Sequence, residues 1–415
     1  MPFCVARSLA YLFALVLACA TMLHAADGWY EISADEVPAT AHFAADDVAK
    51  GKTYQTQRLQ FWFGFLVLEL AFWSALLFTR AGKRLAAWAS RVSGGRHWLT
   101  AALVLVVSLV LLKIVNHPLA LGSFLHRRAY GPATQSLGSW HLDRLLSAGG
   151  SVLITAAGLT VAYVLLRRTP RWWWSLTGVG GSALIVVGMF VYPIWISPIF
   201  NTFEPLEDGP LREKIVALAT RCDIDVESIY VMDASRRGSH TNAYFVGVGS
   251  SQRIVLYDNL IDEHTDEEVV SVLAHEIGHW THRHIWRGVA LASFGTFVLL
   301  FLVNRVLRLV ARRRGCDAWD LSLAPVVFLV ILIGNTVSMP IQNDQSRRME
   351  RQADDEELAL TGDPRLLISG MRKMALTNQS DVEPHPVVEW LFYSHPSTMN
   401  RIRRAIAEER RQDVP

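Results

Sequence analysis

The sequence predicts an α-helical membrane protein of about six or seven transmembrane helices that carries one α+β soluble domain, and three observations predict it. Hydrophobic residues fill 51% of the 415 positions and mean hydropathy is +0.23, which points to the bilayer rather than to an ordinary globular chain. Six apolar stretches approach the roughly 20 residues needed to cross hydrocarbon, near 59–79, 98–115, 149–166, 174–196, 286–308 and 322–340. Between 197 and 285, and again over 341–415, the chain turns polar.

The elements follow in order. Arg7 precedes an apolar run over 8–23, and small Ala25 and Ala26 come after it. Residues 1–26 therefore read either as a signal peptide or as a first transmembrane helix. Residues 27–196 form an N-terminal multi-span membrane domain. Its first clear span contains Glu69, and an acid inside a span is either functional or a helix-packing partner. Trp172, Trp173 and Trp174 mark an interfacial belt. Cys4, Cys19, Cys222 and Cys316 have no paired spacing, which excludes a disulfide framework or a cysteine metal cluster. A formal charge of +2 with no interleaved basic and aromatic patch excludes nucleic acid as a partner.

In the polar insert, 205–210 reads as a turn and 211–221 as an amphipathic helix. Residues 228–232, 242–248 and 252–257 read as short strands between turn residues. Thr265 and Glu268 have the form of a capping box, and Val269, Val270, Leu273 and Ile277 continue at helical spacing. Well inside this helix stands His275-Glu276-Ile277-Gly278-His279. Residues four apart share a helix face, so the two imidazoles can converge on one metal ion while Glu276 sits beside the open coordination position. That is the constellation of a zinc hydrolase. Residues 197–415 are accordingly expected to form a zincin-like metallopeptidase domain, interrupted by a transmembrane hairpin over 286–340. Later on the same segment, His282 and His284 are expected to be solvated or interfacial, since a zinc site needs no further histidine from here.

The third ligand must come from elsewhere. The hairpin returns the chain to the face of the membrane that carries His275 and His279, and Glu350 lies on a helix expected to begin just after the 322–340 span. Read alone, this is a solvated charged helix; beside the pentad, Glu350 is the expected ligand. Asp354, one turn on, is placed to accept the ring N–H of a ligating histidine.

The pieces HEIGH, SRRMERQAD, HTNAYFVG and SHPSTMNR, in a chain of alternating spans, resemble the CAAX prenyl protease 1 family of integral-membrane zinc metallopeptidases, over roughly residue 50 to the end and in the manner of a bacterial-type member. The resemblance implies one zinc per chain on His275, His279 and Glu350, with Glu276 as general base. It further implies that His395 and Arg401, in the H-P-x-x-x-x-R motif, contact the scissile carbonyl and the tetrahedral intermediate. A substrate strand would pair along Asn242, Ala243 and Tyr244, with His240 beside it. The expected activity is a membrane-embedded zinc endopeptidase that hydrolyses peptide bonds with a zinc-activated water. Its expected partners are the bilayer and a peptide or protein substrate, membrane-associated or lipidated. Two other readings stand beside it: an HtpX-like quality-control protease of membrane proteins, and a non-catalytic membrane scaffold. The expected location is a bacterial inner membrane. Lysines and arginines in the loops at 80–96, 167–171 and 308–314 place those loops in the cytoplasm and tip the active site slightly toward the periplasm, although Arg127, Arg128 and Arg144 in a loop read at 116–147 weaken the contrast.

Overall fold

A computed structural model describes residues 32–224, 228–246 and 253–413. The N-terminal segment 1–26 lies outside them, as do positions 247 and 248 of the expected middle strand. The membrane half contains α1 (Ala45–Phe78), the short amphipathic α2 (Ala81–Val92), α3 (His97–Tyr130), α4 (Leu137–Arg168) and α5 (Trp173–Val191), which a π-helical turn and a last short turn prolong to Phe200. With two later helices, six among the described residues are long and apolar enough to cross a membrane. These helices outrun the apolar stretches read from the sequence. The 34 residues of α1 reach about 50 Å, against hydrocarbon of roughly 30 Å. This also corrects the loop read at 116–147. Helix α3 continues to Tyr130 and α4 begins at Leu137, so Arg127 and Arg128 occupy the last turn of α3, where cations suit the helix dipole.

Side chains lock the spans together at a few points. Trp73 stacks on Phe328 with centroids 3.9 Å apart, and Trp173 Nε1 donates to Asn304 Oδ1 at 2.9 Å. Glu69 takes the helix-packing option, accepting from Asn116 Nδ2 at 3.2 Å.

The polar part begins with β1 (Phe203–Pro205), α6 (Pro210–Arg221), β2 (Ser228–Met232), β3 (Ala243–Val246), β4 (Arg253–Tyr257), α7 (Asp258–Glu263) and α8 (Asp266–Thr281). Spans α9 (His284–Arg314) and α10 (Ala324–Thr361) follow, then α11 (Pro364–Thr377), α12 (Pro386–Phe392) and α13 (Thr398–Gln412). The sheet runs β1-β2-β4-β3, with β2 and β4 parallel and the outer strands antiparallel, which leaves β3 at an edge. Strand β1 was not expected: three residues are too few to show a period of two.

Helix α8 starts where the sequence requires. The Thr265 side chain accepts from the Glu268 N–H, and Glu268 reaches back to the Thr265 N–H. Val269, Leu273 and Ile277 are buried with Ile254 and Leu256 of β4 and Ile215 and Leu218 of α6, each worth about 1.5–3 kcal/mol on burial. At the other end α8 does not run into the next span. Arg283 adopts φ 55°, ψ 36°, a left-handed turn that separates α8 from α9. A second core joins the chain's extremes: Ile32, Val37 and Phe43 pack on Met399 and Ile402 of α13, and Arg403 donates through Nε and Nη2 to the Val37 carbonyl.

The opposite face of α8 meets α10, and Gly278 sets their separation. A Cβ there would stand 2.7 Å from Ala353 Cα and 3.1 Å from its carbonyl oxygen, both backbone atoms that cannot swing aside. Gly278→Ala would gain about 1 kcal/mol of helix propensity but force the helices apart at about 1–3 kcal/mol. The expected net outcome is a lower melting temperature in a thermal-shift measurement, whereas a helix interior without this contact would be stabilised by the same change.

Candidate active site

The α8–α10 approach brings three side chains to one point. His275 and His279 rings meet edge to face with centroids 4.9 Å apart and their Nε2 atoms at 3.2 Å. Glu350 projects from α10, with Oε2 3.3 Å from His275 Nε2 and Oε1 3.5 Å from His279 Nε2. One donor atom from each residue lies within 4.8 Å of the others. Glu350 Oε2 is buried and has no hydrogen-bond partner. Two imidazoles and a carboxylate converging around an unsatisfied buried oxygen fit a divalent cation of nitrogen and oxygen preference.

Behind this trio lies a buried charge network. His275 Nδ1 donates to Asp354 Oδ1 at 2.9 Å, and Arg401 Nε donates to Asp354 Oδ2 at 3.0 Å. Glu357, one turn further on, accepts from Ser271 Oγ at 2.6 Å. The Arg401 guanidinium is thus engaged by Asp354 beside His275, and Arg401 also lines a recess that Glu276 and His395 share. His395 Nε2 stands 3.3 Å from Glu350 Oε1 on the open side, with the ring 59% exposed.

Electrostatics separate the two histidines. Burial disfavours a charged His275, but Asp354 and Glu350 outweigh it and push its pKa up to about 10 before a metal binds. Burial, reinforced by the charge on His275, lowers His279 to about 4, so it is neutral and ready to ligate. Burial raises Glu276 to about 7, with the charge of Glu350 adding to it; a base poised there matches neutral pH. Glu276 lies between two recesses. One, of about 350 Å³, is lined by Asn242, Val272, Met371, Tyr393 and His395, and the other, of about 320 Å³, by Phe245, Trp280 and His284.

The expected substrate strand is only partly exposed to this site. Asn242 lines the larger recess. Ala243 is buried in the core and Tyr244 packs toward Met232, so these two can meet a peptide through backbone alone. His240 lies off the recess, hydrogen-bonded to Asn378 Oδ1. His282 is partly solvated near Glu356, whereas His284, expected with it to be solvated or interfacial, is 5% exposed. Sequence reasoning also missed a clamp on the His395 loop. Arg347 Nη1 donates to the carbonyls of Glu389 and Tyr393 at 3.1 and 2.6 Å, and the Glu389 carboxylate accepts from the Ser397 N–H at 3.0 Å. Its only linear signal is a charge on a charged helix, indistinguishable from a solvated one.

Residues 205–409 match the profile of peptidase family M48, and residues 30–202 match that of the CAAX prenyl protease N-terminal region with five membrane helices. The chain belongs to peptidase family M48. Among M48 relatives, a Bacillus subtilis protein described as the uncharacterized metalloprotease YhfN is 29% identical, over 84% of this chain and 81% of its own. The Arabidopsis thaliana CAAX prenyl protease 1 homolog is 36% identical over 55% of each chain, so the match spans about half of that relative. Saccharomyces cerevisiae CAAX prenyl protease 1 is 29% identical over 70% of this chain and 68% of its own. The crystal structure of S. mikatae Ste24p superposes with a TM-score of 0.74 over 96% of both chains at 23% identity, which makes the fold the same. This M48 member is an integral-membrane metallopeptidase, and peptides or proteins are its substrates.

His275 carries a proton at pH 7, three units below its pKa of about 10, and must lose it to ligate. Metal binding is therefore expected to release about one proton, and affinity to rise about tenfold per pH unit between 6 and 9. Calorimetry in buffers of different ionisation enthalpy checks this; an uptake enthalpy independent of buffer would show that His275 is already neutral.

Proposed function

We propose that this M48 member is a zinc endopeptidase holding one zinc per chain on His275, His279 and Glu350. The observation that carries the reading is the buried Glu350 carboxylate, whose Oε2 has no hydrogen bond, facing two imidazole nitrogens, with Glu276 opening onto both adjoining recesses. When bound, zinc supplies a Lewis acid that polarises water and carbonyl. The chain does the rest. Asp354 accepts the His275 Nδ1–H and fixes which nitrogen faces the metal. Arg401 holds Asp354 ionised and in place. Glu276 takes the proton of the attacking water and returns it to the leaving amine. His395, on the exposed side of Glu350, donates to the oxygen of the tetrahedral intermediate. The peptide adds to the free edge of β3 at Asn242.

Residues 27–196 are proposed as the membrane domain and 197–415 as the catalytic domain that the 286–340 hairpin interrupts. Because α8 ends within three residues of span α9, the metal lies near the bilayer surface, which favours substrates that are themselves membrane-associated or lipidated. The proposed location is a bacterial inner membrane, with the basic loops cytoplasmic and the site on the opposite face. Faster cleavage of a prenylated peptide than of its plain twin would support lipid recognition; equal rates would favour a quality-control peptidase.

Two variants test the zinc and the base together. Glu276→Gln should keep one zinc per chain by elemental analysis and lose roughly 10²–10⁴-fold in kcat, while Glu350→Ala should fall below stoichiometric zinc. Near-normal turnover in the first, or full zinc in the second, removes that residue from its role. His395→Ala should lower kcat by about 10²-fold with little change in KM, because its partner charge exists only in the transition state; a change confined to KM would assign His395 to substrate binding instead.

A further inference from the structure

The geometry points to His284 as a positioning residue that holds the His279 ring in the tautomer and orientation presenting Nε2 to the metal. The inference rests on His279 being a ligand. Its Nε2 faces His275 Nε2 and Glu350 Oε1, and its other nitrogen, Nδ1, lies 2.9 Å from Nδ1 of His284. A histidine that ligates through Nε2 carries its proton on Nδ1. That N–H must donate, so His284 Nδ1 must accept. A neutral imidazole has one donor and one acceptor, which leaves the proton of His284 on Nε2. There it meets an oxygen, Gln352 Oε1, at 2.9 Å, and the same oxygen accepts from Arg287 Nη1 at 3.1 Å. Every step from His279 to Gln352 joins a donor to an acceptor. Each ligating imidazole thereby has its own partner: a carboxylate, Asp354, for His275, and a neutral ring for His279.

The backbone is arranged to make this contact. Five residues on, an ideal helix would place a side chain about 140° away from His279. The left-handed turn at Arg283 ends α8 and starts α9 so that His284 folds back edge to face on His279, with ring centroids 5.0 Å apart. A non-glycine residue is disfavoured in that conformation and persists where surrounding contacts demand it. His284 is only 5% exposed, so the surrounding protein holds its ring against His279.

The test compares His284→Asn, whose Oδ1 can occupy the position of Nδ1 and still accept, with His284→Leu, which fills similar space and cannot. Zinc dissociation constants of the full-length protein are measured by chelator competition, and visible absorption is recorded after cobalt substitution. His284→Leu should bind zinc about 10–100-fold more weakly with a changed cobalt spectrum, while His284→Asn should stay within about threefold of the parent. If His284→Leu does not fold, Gln352→Leu, which frees His284 to turn, should weaken zinc in the same direction. Unchanged zinc affinity in the leucine variant, or equal losses in the leucine and asparagine variants, overturns the role of His284. A parent protein that binds no stoichiometric zinc would instead overturn the metal site on which the inference rests.

Discussion

The catalytic half is governed by the burial of three carboxylates on one face of α10. Glu350, Asp354 and Glu357 are 6%, 2% and 3% exposed, and their i, i+4, i+7 spacing aims all three at His275. Removing one unpaired carboxylate from water costs several kcal/mol, so this face cannot close on α8 without positive charge. Arg401 supplies part of it from α13. His275 stands within ion-pair distance of all three, and Asp354 and Glu350 raise its pKa so that its charged form compensates them further. The network that orients the ligands is therefore also the one that makes α10 tolerable next to α8, and Gly278 lets the two backbones come near enough for it to form. Stability and metal chemistry share the same few atoms.

Features carried by local pattern were legible in the sequence. The Thr265 capping box, the pentad on a helical face and the return of Glu350 through the hairpin need only periodicity and span length. Features that depend on long-range packing were not. Arg401 reads by resemblance as a substrate contact, and nothing in the linear motif reveals that Asp354, 47 residues away, also holds its guanidinium. Ala243 and Tyr244 lie on the edge strand β3, but which faces of a short edge strand are buried depends on what packs there. His284 was lost to a single backbone torsion: a helix assumed continuous through residue 283 points it away from the metal. Arg347 and Glu389, which hold the His395 loop, look like ordinary surface charges until the fold buries them.

The membrane half obeys a looser constraint. Its helices meet through specific contacts such as Trp73 on Phe328 and Trp173 on Asn304 and through buried apolar clusters that join several spans, yet much of their apolar surface remains uncovered. In hydrocarbon such surface needs no protein partner. The polar pair Glu69 and Asn116 stands out against it, since each satisfies a group that lipid could not.

The core formed by Ile32, Val37 and Phe43 with Met399 and Ile402 bears on the order of biosynthesis. The Arg403 to Val37 bond joins residues 366 positions apart, so it cannot form while the ribosome is still making the spans. Until α13 emerges, the N-terminal strap lacks its partner and Asp354 lacks Arg401. A nascent chain already threaded into the membrane would hold His275, His279 and Glu276, yet Asp354 would lack the guanidinium that pairs with it. Assembly of the catalytic half in this way waits on the translation of α13, which supplies both Arg401 and Arg403.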